Sequence, residues 1–96
     1  MVKVVAKNFI KADRMNEFIE TAEMLVRETV QNDTGCIRYE LFQDLSNPQV
    51  LTIIEEWEDQ SSLDAHMTAK HFKEATTRFP EFAEKPGEIN LYKKLA

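Results

Sequence analysis

Two histidines, His66 and His71, carry the side chains most ready to move protons near neutral pH. Such a pair suits general acid–base work: taking a proton from a hydroxyl or an activated carbon and returning it. On the residues alone, a structural role comes first for each. His66 falls beside Leu63 and Met67 on the half-buried side of a helix, and His71 can cap one. As metal ligands they are badly spaced. Five positions along a continuous helix turn the second imidazole about 140° away from the first. A chain break would be needed to bring them together, and no third ligand is specified.

Other residues invite two readings each. Asn8 is polar on an otherwise apolar strand face. It is either satisfied by nearby backbone or a pocket donor that orients a substrate oxygen. Trp57 is the only tryptophan. It is a core side chain, or an indole that stacks on a flat ligand and donates its N–H. Tyr39 is either a core aromatic with its hydroxyl at an edge or a pocket donor. Cys36 has no base beside it in sequence and reads as a buried structural thiol. Phe42, Phe72, Phe79 and Phe82 read first as core. Glu55 and Glu56 point to opposite faces of a strand, so they are not expected to form a carboxylate dyad. With Gly at two positions in the whole chain, there is no phosphate-cradling loop and no nucleotide fingerprint; a nucleophile elbow is missing too.

The elements that must position these residues follow from periodicity. Residues 2–10 predict a strand with Val2, Val4, Ala6, Asn8 and Ile10 on one side and Val5 and Phe9 on the other. Asp13 is the expected N-cap of a helix whose Met15, Phe18, Ile19, Ala22, Leu25, Val26 and Val30 repeat at three-four spacing. Gly35 ends it. Residues 36–43 and 50–57 predict an antiparallel hairpin across Asn47-Pro48, with Ile37, Tyr39 and Leu41 on one face of the first strand. Asp59 or Ser61 caps a short helix through His66 and Met67. A second helical stretch carries Phe72, Ala75, Thr76 and Phe79, and Pro80 closes it. Pro86-Gly87 predicts a turn, and residues 88–95 a last strand.

The order β-α-β-β-α-β is the ferredoxin-like, split βαβ arrangement of an α+β protein: one antiparallel sheet with helices on one face. Both sheet faces carry apolar residues, such as Val4 against Val5 and Leu51 against Ile54. A sheet with one wet face alternates more cleanly. A homodimer packed sheet to sheet is therefore expected.

Three segments, Gly35-Cys36-Ile37-Arg38-Tyr39-Glu40-Leu41-Phe42-Gln43-Asp44, then Glu55-Glu56-Trp57, then Leu63-Asp64-Ala65-His66 with His71-Phe72, give a combined pattern. Written out, it is G-C-x-x-Y-x-L-F-Q-D, a strand ending E-x-W, and L-x-x-H-x-x-x-x-H-F. This pattern resembles the antibiotic biosynthesis monooxygenase family, and Asn8 fits as well. The resemblance implies a dimeric α/β barrel built from two sheets, with a pocket between sheet and helices in each subunit. It implies catalytic roles for Asn8, Trp57, His66 and His71, and substrate contact from Tyr39 and Phe72. Members include cofactor-independent quinol and anthrone oxygenases, haem-degrading enzymes and isomerases of small phosphorylated signalling sugars. The haem-degrading branch needs a ligand histidine near Thr76, where this chain has none, so haem is not expected.

Composition narrows the partners. Ninety-six residues predict one domain, residues 1–96. Lys and Arg number 12 against 17 Asp and Glu, a net charge of −5. An acidic chain without basic clusters argues against nucleic acid and anionic membrane. No apolar run is long enough for a signal peptide or membrane helix. One cysteine fits a reducing, cytoplasmic setting. The family resemblance, with no cofactor motif in the chain, implies a cofactor-free monooxygenase that takes a quinol, polyphenol or anthrone-like aromatic and O2. Two alternatives stand beside it. One is an isomerase of a small phosphorylated carbonyl compound, with Arg38 or Lys70 as phosphate cation. The other is a dimer that holds a small ligand without turnover.

Overall fold

A computed structural model describes residues 1–96. The elements are β1 (Val2–Ile10), a 3₁₀ turn (Ala12–Arg14), α1 (Met15–Asn32), β2 (Cys36–Gln43), β3 (Val50–Trp57), α2 (Gln60–Thr68), α3 (Lys70–Phe82) and β4 (Ala83–Lys93). The sheet order is β2-β3-β1-β4, and every pairing is antiparallel. This is the expected ferredoxin-like α+β topology, with the second helical region divided at Ala69. No helix is long and apolar enough to cross a membrane.

The helix-facing side of the sheet is set by β3, where Leu51, Ile53, Glu55 and Trp57 are buried and their alternates are not. Pairing extends that face to Val4 and Tyr39, both opposite Glu55, on either side of β3. Helix α1 lays Phe18, Ala22 and Leu25 against it. One core cluster joins Val4, Leu25, Tyr39, Ile53, Trp57, Leu63 and Ala75, and a second joins Ile10, Phe18, Ala22, Leu51 and Phe82.

Several local expectations are corrected. Asp13 lies inside the 3₁₀ turn rather than capping α1. The helix starts after Arg14, whose guanidinium reaches Glu17 at 2.6 and 3.0 Å. Asp59 does cap α2, accepting from the Ser62 N–H at 2.8 Å. Pro80 does not close α3. The missing prolyl N–H costs one helical bond near the end, and the last turn is completed by the Ala83 N–H onto the Pro80 carbonyl. Pro86-Gly87 is not a turn but part of β4, at an irregularity opposite Lys7 and Phe9. A proline without an N–H and a glycine without a side chain suit such a bulge. A Cβ on Gly87 would stand 2.7 Å from the Lys7 carbonyl oxygen. Another irregularity between Cys36 and Arg38 turns Cys36 toward the core and leaves Ile37 half exposed, reversing their expected faces.

The far side of the sheet is mixed. Val5 and Ile54 sit there opposite each other, partly covered, while Phe42 and Tyr92 are 46% and 52% exposed. Arg38 crosses the same face to Glu56 at 3.1 Å.

Candidate active site

A cavity of about 640 Å³ opens between the sheet and the helices α2 and α3. Its floor is Val4, Ala6 and Asn8 of β1 with Ile53 and Glu55 of β3 and Tyr39 of β2. Its wall is Leu63, His66 and Met67 of α2 and Phe72, Thr76 and Phe79 of α3. Lys7 and Lys85 also border it. The lining is mostly apolar, with few polar groups, which is the usual make-up of a small-molecule site.

His66 is the centre of this arrangement. It is buried, and its ring packs against three aromatics: Trp57 at 4.7 Å, Phe72 at 4.9 Å and Tyr39 at 5.1 Å between centroids. Its Nδ1 lies 2.5 Å from Oδ2 of Asp33. Its Nε2 is buried and has no partner. Burial pushes its pKa below the ordinary imidazole value, while the bond to Asp33 and that carboxylate's charge oppose the shift. The resting ring is therefore neutral at neutral pH, and a neutral imidazole can accept a proton.

Glu55 is the second unusual group. It is 6% exposed and lines the cavity, and no cation pairs with it. Burial pushes its carboxyl up to about 7, against the opposing effect of the Trp57 indole N–H, which donates to Oε1 at 3.0 Å. Tyr39 lies across from it, and burial together with Glu55 raises the phenol well above its usual range. Tyr39 therefore stays protonated, and its hydroxyl keeps a hydrogen to donate.

The predicted site residues separate into two groups. Asn8, Tyr39, His66 and Phe72 line the cavity. Asn8 lines the cavity but is satisfied by backbone: its Nδ2 donates to the Ala6 and Leu51 carbonyls, each at 3.3 Å, so it is not the free donor anticipated, and what remains for a ligand is the acceptor Oδ1. Trp57 does not line the cavity; fully buried, it stacks on His66 and holds Glu55. His71 lines a different cleft, between α1 and α3, yet its Nε2 reaches Oδ2 of Asp33 at 2.9 Å. Arg38 and Lys70 lie outside the cavity; Arg38 pairs with Glu56 and Lys70 with Glu74. Cys36 is free, and burial next to Asp33 and Glu55 pushes its thiol up to about 11, which makes it a poor nucleophile.

Two residues were not among the expected site residues: Glu55, weighed only as half of a dyad with Glu56, and Asp33. Glu55 carried a signal, because a charge stands in the buried phase of an alternating strand. Asp33 carried none, since its partners lie 33 and 38 positions away. It is also the third donor beside the two histidines, and the break at Ala69 lets both imidazoles converge on it. The three donor atoms lie within 4.8 Å of one another. Their contacts have hydrogen-bond spacing: two ligands on one tetrahedral zinc stand about 3.3 Å apart, against 2.5 Å here.

Comparison with known proteins agrees with this architecture. The chain matches the antibiotic biosynthesis monooxygenase family over residues 1–78 and belongs to that family. An uncharacterized protein of Synechocystis sp. is 32% identical over 91 residues, covering 94% of this chain; the chain spans 61% of that relative's length. The crystal structure of a conserved protein from Methanosarcina mazei Go1 is 42% identical, with a TM-score of 0.94, covering 98% of this chain and 92% of that one. A crystal structure described as antibiotic biosynthesis monooxygenase is 29% identical, with a TM-score of 0.92 over 100% of both chains.

Proposed function

We propose that the protein is a cofactor-independent monooxygenase acting on a quinol, polyphenol or anthrone-like aromatic. The observation that carries this reading is His66: a buried imidazole with an unpartnered Nε2, in the wall of a mostly apolar cavity. Such a substrate, once deprotonated, forms a delocalised anion that can reduce O2 directly. The protein then has three tasks. Nε2 of His66 takes the hydroxyl proton. Tyr39 donates to a substrate oxygen and Oδ1 of Asn8 accepts from a second hydroxyl, fixing the ring. The apolar walls keep water from the anion, and the low dielectric strengthens these few polar contacts. One oxygen atom enters the ring and the other leaves as water; the substrate supplies both electrons and both protons.

Family membership supports an oxygenase reading. The substrate class rests on cavity chemistry: aromatic side chains for a flat ring, and Tyr39, Glu55 and Asn8 for its oxygens. The homodimer belongs to the same proposal, supported by the exposed Phe42 and Tyr92 beside Val5 and Ile54. A cytoplasmic setting suits the lone thiol of Cys36.

Lys7 and Lys85 favour the isomerase alternative, because they are cations at the cavity where a phosphate would need one. Turnover of a phosphorylated carbonyl compound without O2 would select that reading. Oxygen uptake with an autoxidisable quinol, above the protein-free rate and without added flavin or metal, supports the monooxygenase; no excess over the blank across a quinol panel overturns it.

A further inference from the structure

A histidine base works only in one tautomer: the nitrogen that faces the substrate must hold a lone pair, not a hydrogen. Two ring nitrogens converge on one oxygen of Asp33, Nδ1 of His66 at 2.5 Å and Nε2 of His71 at 2.9 Å. An ionised carboxylate only accepts, so both nitrogens carry hydrogens toward it. That puts the His66 hydrogen on Nδ1 and leaves the buried Nε2 with its lone pair. Asp33 is itself placed by backbone. It ends α1 with its N–H on the Thr29 carbonyl at 3.0 Å, and the chain then turns through Gly35 at a φ of 81°. His71 comes to the same oxygen from the cleft on the other side of α3, outside the cavity.

We propose that Asp33 and His71 are positioning residues for His66: Asp33 locks the Nδ1–H tautomer, and His71 holds the Asp33 carboxylate in place from the opposite side. This rests on the reading of His66 as the base. The groups that face the His66 ring are Asp33 from the end of α1, His71 from α3 and Tyr39 from β2, with Glu55 of β3 lining the same cavity. Of these, only Asp33 makes a hydrogen bond to the ring. If it becomes an amide, its N–H can donate to Nδ1, and the ring hydrogen moves to Nε2. A donor then stands where an acceptor is needed. In a serine protease, the same loss of tautomer control lowers turnover about 10⁴-fold.

The test uses the full chain with ¹⁵N-labelled histidine. Long-range ¹H–¹⁵N correlation reads which ring nitrogen carries the hydrogen, with no substrate present. Expected are Nδ1–H for His66 and Nε2–H for His71 in the unmodified protein, and a majority of Nε2–H for His66 in Asp33→Asn. Quinol turnover should then fall at least about 100-fold in kcat with KM changed less than about 3-fold. Asp33→Glu, which keeps an acceptor, should restore the Nδ1–H tautomer, and it serves as the readout if Asp33→Asn does not fold. His71→Gln, whose amide N–H can still donate to Asp33, should keep the tautomer and lose less than about 10-fold in kcat. An Nε2–H His66 in the unmodified protein, or the same tautomer in Asp33→Asn, overturns the proposal whatever the turnover. If the tautomers behave as expected but His66→Gln turns over normally, the reading of His66 as base fails instead.

Discussion

Glu55 and Trp57 stand two positions apart on the buried face of β3, and the indole N–H of one donates to the carboxyl of the other at 3.0 Å. This single hydrogen bond is the only charge-directed contact that Glu55 has in the protein. It helps the core tolerate the carboxyl, while burial, against the opposing effect of this bond, is what pushes the titration far above its usual value.

That shift has a consequence for stability. The folded pKa, about 7, lies above the ordinary glutamate value of 4.5, so the fold favours the protonated form. The stabilising contribution is complete below about 4.5 and is lost as pH rises through 7. Glu55→Gln keeps the shape and the acceptor oxygen but cannot ionise. Its stability relative to the unmodified protein should rise by up to about 3 kcal/mol between pH 4.5 and pH 8. Urea denaturation of both proteins at the two pH values measures this; a constant difference contradicts it.

The far sheet face predicts the oligomeric state. Phe42, nearly half exposed in the protomer, should be covered by a second copy burying about 800 Å² per subunit. Sedimentation should show a dimer at micromolar concentration. Phe42→Asp places a charge in that contact without touching the protomer core, and should shift the protein toward monomer. A monomeric unmodified protein contradicts the prediction.

At the cavity's edge, Gly87→Ala would drive a Cβ to 2.7 Å from the Lys7 carbonyl oxygen, which is backbone and cannot swing away. The strand must shift, at a cost of about 1–3 kcal/mol. For a chain of this size that lowers Tm by about 5–15 °C, as calorimetry would show. An unchanged Tm would mean that the bulge in β4 is loose.

The fold was legible because its signals are local and repeated. Alternation in 50–57 and three-four spacing from Met15 to Val30 each state an element several times over. What was misread depends on single contacts. Pro86-Gly87 looks like a turn in sequence, and only the neighbouring β1 makes it a bulge. The site divides in the same way. Asn8, Tyr39, His66 and Phe72, singled out through their types and a family pattern, all line the one cavity. Trp57 and His71, singled out with them, do not line it: one backs His66 and the other reaches Asp33 from outside the cavity. Asp33 was invisible, since nothing near it in sequence hints at two imidazoles arriving from the far side of the hairpin.

His66 bears the greatest weight, and oxygen uptake tests it most directly. With an electrode, an autoxidisable quinol, a chelator and no flavin, the unmodified protein should consume O2 well above the protein-free rate. His66→Gln, folded by circular dichroism, should lose at least about 100-fold, the usual scale for removing a general base. A protein no faster than the blank, or a His66→Gln variant as fast as the unmodified protein, would contradict the account.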